Sequence, residues 1–149
     1  MPSVTAVILA KYTAAAVLMT VSYWVSFFAA YGYTAYLWPA AHLPHVPLAA
    51  FFLWVIGFLY LSLLILGCVL FRQTFTSILF AGGTAAVISL LGLVKPLAEF
   101  NPFILTSKNV DLIAGSVSPS EFVAPMAVSL VITVVGLLLA VRLFNKKQL

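Results

Sequence analysis

Residues 47–71 read PLAAFFLWVIGFLYLSLLILGCVLF, and this stretch decides the fold. It holds no Asp, Glu, Lys, Arg or His, and its only hydroxyls belong to Tyr60 and Ser62. An α-helix rises about 1.5 Å per residue and the hydrocarbon core of a bilayer is about 30 Å thick, so a run of this length is enough to cross it. A strand of a membrane barrel alternates lipid-facing and lumen-facing residues. This run is continuously apolar, which makes it a helix. Just beyond it, Arg72, Gln73 and Thr74 form a connection too short for anything but a tight turn. Residues 75–94, FTSILFAGGTAAVISLLGLV, then make a second uncharged run. Two such runs, so joined, must form an antiparallel hairpin. Working outward, residues 12–34 and 122–141 meet the same criterion. The expectation is an all-α integral membrane protein with one transmembrane domain over residues 1–149, four transmembrane helices, and a short interfacial helical segment between the third and fourth. The first run lacks a short basic lead, is long, and has no small-residue cleavage site after it, so it reads as a span and not as a signal peptide.

Composition excludes the alternatives. Of 149 residues, 64% are hydrophobic and 7% charged, where a soluble domain has roughly 45–50% apolar and about 25% charged residues. Seven bases and three acids could not cover a soluble enzyme of this size, keep a chain disordered, or track the phosphates of a nucleic acid. A single cysteine, Cys68, excludes an internal disulfide and a cysteine-cluster metal site. It reads as a small packing residue, with palmitoylation a minor alternative.

The span ends carry physical markers. Pro39, Pro44 and Pro47 interrupt the chain between the first two runs, and Pro47 suits a first helical turn. Lys95-Pro96 closes the third. Ser118-Pro119-Ser120-Glu121 opens the fourth as a capping box, with Ser118 as cap and Glu121 completing it. Four crossings place both termini on one side, together with the turn at Arg72. That side collects Lys11, Arg72, Arg142, Lys146 and Lys147; the other holds Lys95 and Lys108 with all three acids, Glu99, Asp111 and Glu121. Lys and Arg accumulate on the cytoplasmic side, so both termini are expected in the cytoplasm of a cell-membrane protein. Tyr31, Tyr33, Tyr36 and Trp38 then form an aromatic belt at the outer interface, and Trp24, deeper, is a packing residue.

Residues 96–121 are the one sizeable polar segment. Asn101-Pro102 resembles a helix start and Gly115 a stop. Phe103, Ile104, Val110, Leu112 and Ile113 are too apolar for a free linker, so one or two short helices in the interface are expected, with an ordinary packed loop as the alternative. Intramembrane ionisable groups are the usual mark of proton relays and membrane catalysis, and the four runs have none. His42 and His45 lack nearby further ligands and read as loop residues more readily than as a metal site. Gly82-Gly83 lacks the surroundings of a phosphate loop. No catalytic residue, cofactor ligand or metal ligand is assigned.

Small and hydroxylated residues recur at helical spacing. Ser77, Ala81, Ala85 and Ser89 form a row on the third run, with Gly82 and Ala86 beside it. Ser22, Ser26 and Ala30 form one on the first, and Ser129, Thr133, Gly136 and Ala140 one on the fourth. Such rows let helices approach closely and let hydroxyls bridge them. They mark packing within the chain, or contact with another subunit or a translocation path. With Tyr60 and Ser62, these mildly polar faces suit an amphiphilic cargo better than a bare ion.

The order of these features resembles the second part of a type-2 permease of ATP-binding-cassette exporters. In that family a span follows a cytoplasmic basic residue, here Ile8-Leu9-Ala10-Lys11-Tyr12. The next ends at a short basic turn, here Leu70-Phe71-Arg72-Gln73. A small-residue hairpin span, an extracellular segment of short helices and a last span with a basic tail follow, here Thr74 to Leu93, Asn101 to Gly115, and Val141-Arg142-Leu143-Phe144-Asn145-Lys146-Lys147. The resemblance covers nearly the whole chain and lies in layout, without an invariant motif. It implies a separate ATPase subunit that binds ATP and magnesium, with no cofactor and no enzymatic activity in this chain. It also implies self-association or a second membrane subunit, and a path bordered by the first and third helices. The family's first two spans have no counterpart here, so a split permease and a four-helix subunit with another task both fit. Outside the family, a non-transporting accessory subunit of a larger complex or a small oligomeric channel would fit the composition.

Overall fold

The structure, a computed structural model, describes residues 3–39 and 43–147. They form α1 (Val4–Leu37), α2 (Val46–Leu70) and α3 (Thr74–Leu91). Three short helices follow, α4 (Lys95–Ala98), α5 (Ile104–Ser107) and α6 (Asn109–Ile113), then a 3-10 turn (Pro119–Phe122) and α7 (Val123–Lys147). No strand occurs among the described residues. Four helices are long and apolar enough to cross a membrane: α1, α2, α3, and α7 with its leading turn. The chain is a multi-pass, all-α membrane protein.

Helix ends differ from the sequence reading where polar contacts, invisible to hydropathy, set them. α1 begins well before residue 12 because Ser3 Oγ accepts the Ala6 N–H at 3.3 Å, a side-chain cap. α3 ends at Leu91, short of residue 94, where the Gly92 N–H turns back to the Ser89 carbonyl at 3.0 Å. A Cβ at Gly92 would lie 2.6 Å from Asn101 Nδ2, so the chain has to be bare there. The capping box at 118–121 does not form. Ser118 Oγ pairs with Ser120 Oγ at 2.8 Å, and Glu121 extends to Lys108, 3.6 Å from its ammonium. The 3-10 geometry after Pro119 replaces the first α-turn in which the reciprocal bonds would have closed.

α2 is the centre of the bundle. It packs along α1, α3 and α7, while α3 packs chiefly on α2 alone. The partners fix the directions. Trp54 Nε1 donates to Thr20 Oγ1 at 3.1 Å and the Tyr23 hydroxyl to the Ala50 carbonyl at 2.7 Å, so α1 runs antiparallel to α2. Gly67 faces Ser77, so α3 does too. Phe52 stacks on Phe122 with ring centres 5.0 Å apart, and Gly136 faces Ser62, so α7 runs parallel to α2. Interhelical hydrogen bonds in membranes average about 0.6 kcal/mol; the two from α1 set its rotation and height more than they hold it.

The directions put the N-terminal end of α1 and the C-terminal end of α7 at the same end of the bundle. There Lys147 Nζ donates to the carbonyls of Val69 and Leu70, at 2.6 and 2.9 Å. A cation thus sits on the negative end of the α2 dipole, where the last carbonyls lack helical partners. At the opposite end α1 overshoots. Leu37 stands fourteen residues beyond Tyr23 and Val46 only four before Ala50. At roughly 1.5 Å per residue, α1 therefore extends about 15 Å past the start of α2.

Candidate functional site

The hydroxyls and small residues singled out in the sequence do not share one surface. Ser62, Ser129 and Thr133 are buried between α2 and α7, with Pro125, Gly136 and Ala140 on the same face of α7. A Cβ at Gly136 would lie 2.6 Å from Ser62 Oγ, so this crossing depends on glycine. Thr133 Oγ1 donates to the Ser129 carbonyl at 2.8 Å. Ser62 Oγ and Ser129 Oγ have no hydrogen-bond partner. The seam is held by close approach rather than by bridging hydroxyls.

Ser77, Ala81 and Ala85 are buried where α3 meets α2, with Ala81 packed on Leu59 and Leu63. Ser77 Oγ donates to the Gln73 carbonyl at 3.0 Å. A Cβ at Gly67 would lie 2.8 Å from the Ser77 carbonyl oxygen, backbone that cannot move aside. Ser89, the fourth member of the row, is exposed. Gly82 and Gly83 face open space.

On α1 the row Ser22, Ser26 and Ala30 is exposed along its length. The face turned to α2 is aromatic instead. Trp24 packs edge-on against Phe27 and lies 6.1 Å from Trp54, centre to centre. Tyr60 is 41% exposed and meets Phe103 edge-on at 5.8 Å. Cys68 is also exposed, one helical step round from the packed Gly67, and so is not the packing residue its size suggested.

The basic residues gather as the helix directions require. Arg72 lies in the α2–α3 turn, and Arg142, Lys146 and Lys147 lie on the last turns of α7 at the same end. Lys11 is exposed in the first half of α1, toward that end. His42 lies outside the described residues; His45 caps α2 with φ +63°, a left-handed conformation. No group of three or more potential metal ligands occurs among the described residues.

Residues 96–121 form the outer cap, packed on the end of the bundle opposite the basic residues. Leu105, Leu112 and Phe122 are fully buried against Ala49, Phe52 and Ile56 of α2. Two asparagines fix it. Asn101 Nδ2 donates to the Ile88 carbonyl at 2.7 Å and Oδ1 accepts the Phe103 N–H at 2.9 Å, tying the segment to the end of α3. Asn109 Nδ2 donates to the carbonyls of Ala49 and Leu105, at 3.0 and 3.3 Å. The sequence marked Asn101 as a helix start but gave Asn109 no role. Its neighbours Thr106, Ser107, Lys108 and Asp111 are polar too, so nothing in the sequence set this amide apart for burial. Gly115 does close this cap, with φ +76°.

Between the end of α3 and this cap lies a cavity of about 350 Å³, bordered by Ser89, Asn101, Glu99, Ser107 and Lys108. Leu93, Phe103 and Ile104 also line it, so one acid and one base stand at the edge of a largely apolar wall, at the end opposite the basic cluster. Compared with known proteins, the chain matches no family model, no curated protein and no solved structure.

Proposed function

We propose that the chain is a membrane-spanning permease subunit of an ATP-driven exporter, resident in the cell membrane with both termini in the cytoplasm. A separate ATPase subunit supplies the energy, and a second membrane chain or further copies complete the path. One observation carries this reading: the interior of the bundle contains hydroxyls but no buried ionisable side chain among the described residues. Carriers driven by protons or ions usually place such groups at mid-membrane; a subunit driven through conformational change by a partner has no need of them. The order of features, which resembles that of type-2 permeases, supports the same reading. So does the unused small-residue row on α1, which leaves a face for another membrane helix. In this reading Ser22, Ser26, Tyr60 and Ser89, the exposed members of the candidate set, border the path or the neighbouring subunit, and the buried members hold the bundle together.

The test is to purify the chain from its native membrane in mild detergent and identify what comes with it. The expected result is a copurifying nucleotide-binding protein whose ATPase activity falls when this chain is removed. Copurification of a non-ATPase complex alone, with no dependence of any ATPase on the chain, overturns the exporter reading in favour of an accessory subunit.

A further inference from the structure

We infer that the cavity between α3 and the outer cap is a binding site for the headgroup of a zwitterionic aminophospholipid, one that joins a primary ammonium to a phosphodiester. The inference rests on the membrane fold and does not depend on an ATPase partner.

Position comes first. α3 has 18 residues, about 27 Å at roughly 1.5 Å per residue, close to the ~30 Å of a hydrocarbon core. Its basic end begins at the Arg72 turn, so its other end, where the cavity lies, comes to headgroup height. The neighbouring surface is apolar and uncovered: Leu93 is 81% exposed, and Leu97 and Phe100 about half exposed. An occupant therefore meets a few polar side chains around one part and apolar, lipid-facing side chains around the rest. That is the situation of a phospholipid, not of a water-soluble ion.

Charge selects among phospholipids. Glu99 and Lys108 both border the cavity. Among the described residues Glu99 makes no ion pair. Lys108 approaches Glu121 at 3.6 Å, with both side chains half exposed. That distance exceeds the ~2.7–2.9 Å of a charge-assisted hydrogen bond, so the ammonium keeps donors for a phosphate. A phosphodiester on Lys108 and a primary ammonium on Glu99 satisfy both walls, and the hydroxyls of Ser89 and Ser107 add donors. A phosphatidylglycerol would leave Glu99 facing an anionic lipid. A phosphatidylcholine carries three methyl groups where Glu99 needs an N–H donor.

The test uses the full chain in mild detergent, offered phosphatidylethanolamine, phosphatidylcholine and phosphatidylglycerol of identical acyl chains at equal concentration. Bound lipid is read by native mass spectrometry. Phosphatidylethanolamine should be retained about tenfold over the other two, the order expected for one charge-assisted hydrogen bond. Glu99→Gln should bring it down to the phosphatidylcholine level. Lys108→Gln should lower both phosphatidylethanolamine and phosphatidylglycerol. Lys95→Gln, on α4 but outside the cavity, should change nothing. On the unaltered chain, soluble phosphoethanolamine should displace the lipid and phosphocholine should not, a readout that needs no variant to fold. Equal retention of the three lipids overturns the inference. So does an undiminished phosphatidylethanolamine signal in Glu99→Gln, an equal loss in Lys95→Gln, or displacement by phosphocholine as effective as by phosphoethanolamine.

Discussion

The rows Ser22-Ser26-Ala30 on α1 and Ser129-Thr133-Gly136 on α7 look alike in sequence and meet opposite fates. The α7 row is buried against α2, so closely that a single methyl group at Gly136 would strike Ser62. The α1 row is exposed along its length, while another face of that helix meets α2 through Thr20, Tyr23 and Trp24. The difference lies in what else each helix carries. Between Phe122 and the half-buried Phe144, the buried face of α7 carries only Pro125, Ser129, Thr133, Gly136 and Ala140, so these small residues set the distance of approach. α1 has aromatic bulk and two hydrogen-bond partners for α2, and these settle its rotation first. A small-residue row thus permits close packing without choosing the partner. The choice is made by competing faces of the same helix.

The comparison can be broken most severely at the α2–α7 seam. Gly136→Val should destabilise the chain by about 1–3 kcal/mol, the usual cost of overpacking, read as a lower melting temperature in detergent. Ser62→Ala should cost little alone, because it removes a hydroxyl that has no partner. Combined with Gly136→Ala, it should recover most of what Gly136→Ala loses. Additive losses in that double-mutant cycle would show that the two side chains do not meet. Next in size is Asn109→Ala, which strips the buried anchor of the outer cap from the Ala49 carbonyl and should cost about 1–3 kcal/mol. Its signature is faster hydrogen exchange in residues 104–113 with α2 unchanged. Thr20→Val removes the partner of Trp54 Nε1 and should cost only about 0.6 kcal/mol. Ser26→Val should fall within about 0.5 kcal/mol of the unaltered chain. A large loss there in the isolated chain would mean that the α1 row packs internally after all; a loss confined to the assembled complex would place it at a subunit contact.

Much of this fold was legible as sequence because a bilayer leaves few options. Uncharged runs such as 47–71 must be helices, the three residues after Phe71 force a hairpin, and Gly115 does end the outer cap. What hydropathy could not supply were events decided by one polar atom or by geometry between helices. Ser3 lengthens α1, Asn101 shortens α3, and Ser118 pairs with Ser120 rather than with the backbone beyond Pro119. The fate of each small-residue row was equally hidden, since spacing along one helix carries no information about rotation around its axis. At the outer end, the cavity joins Glu99, Lys108 and Ser89, which lie in three separate segments of sequence.

The proposed subunit crosses the membrane four times with its basic end in the cytoplasm. The most direct measurement introduces single cysteines by Val110→Cys and Arg72→Cys in a Cys68→Ser background and treats intact cells with a membrane-impermeant maleimide. Val110 is 73% exposed on the outer cap and Arg72 is exposed at the hairpin turn. The expected result is labelling of the first cysteine in intact cells and of the second only after permeabilisation. The reverse pattern, or both sites labelled from the same side, would contradict the account.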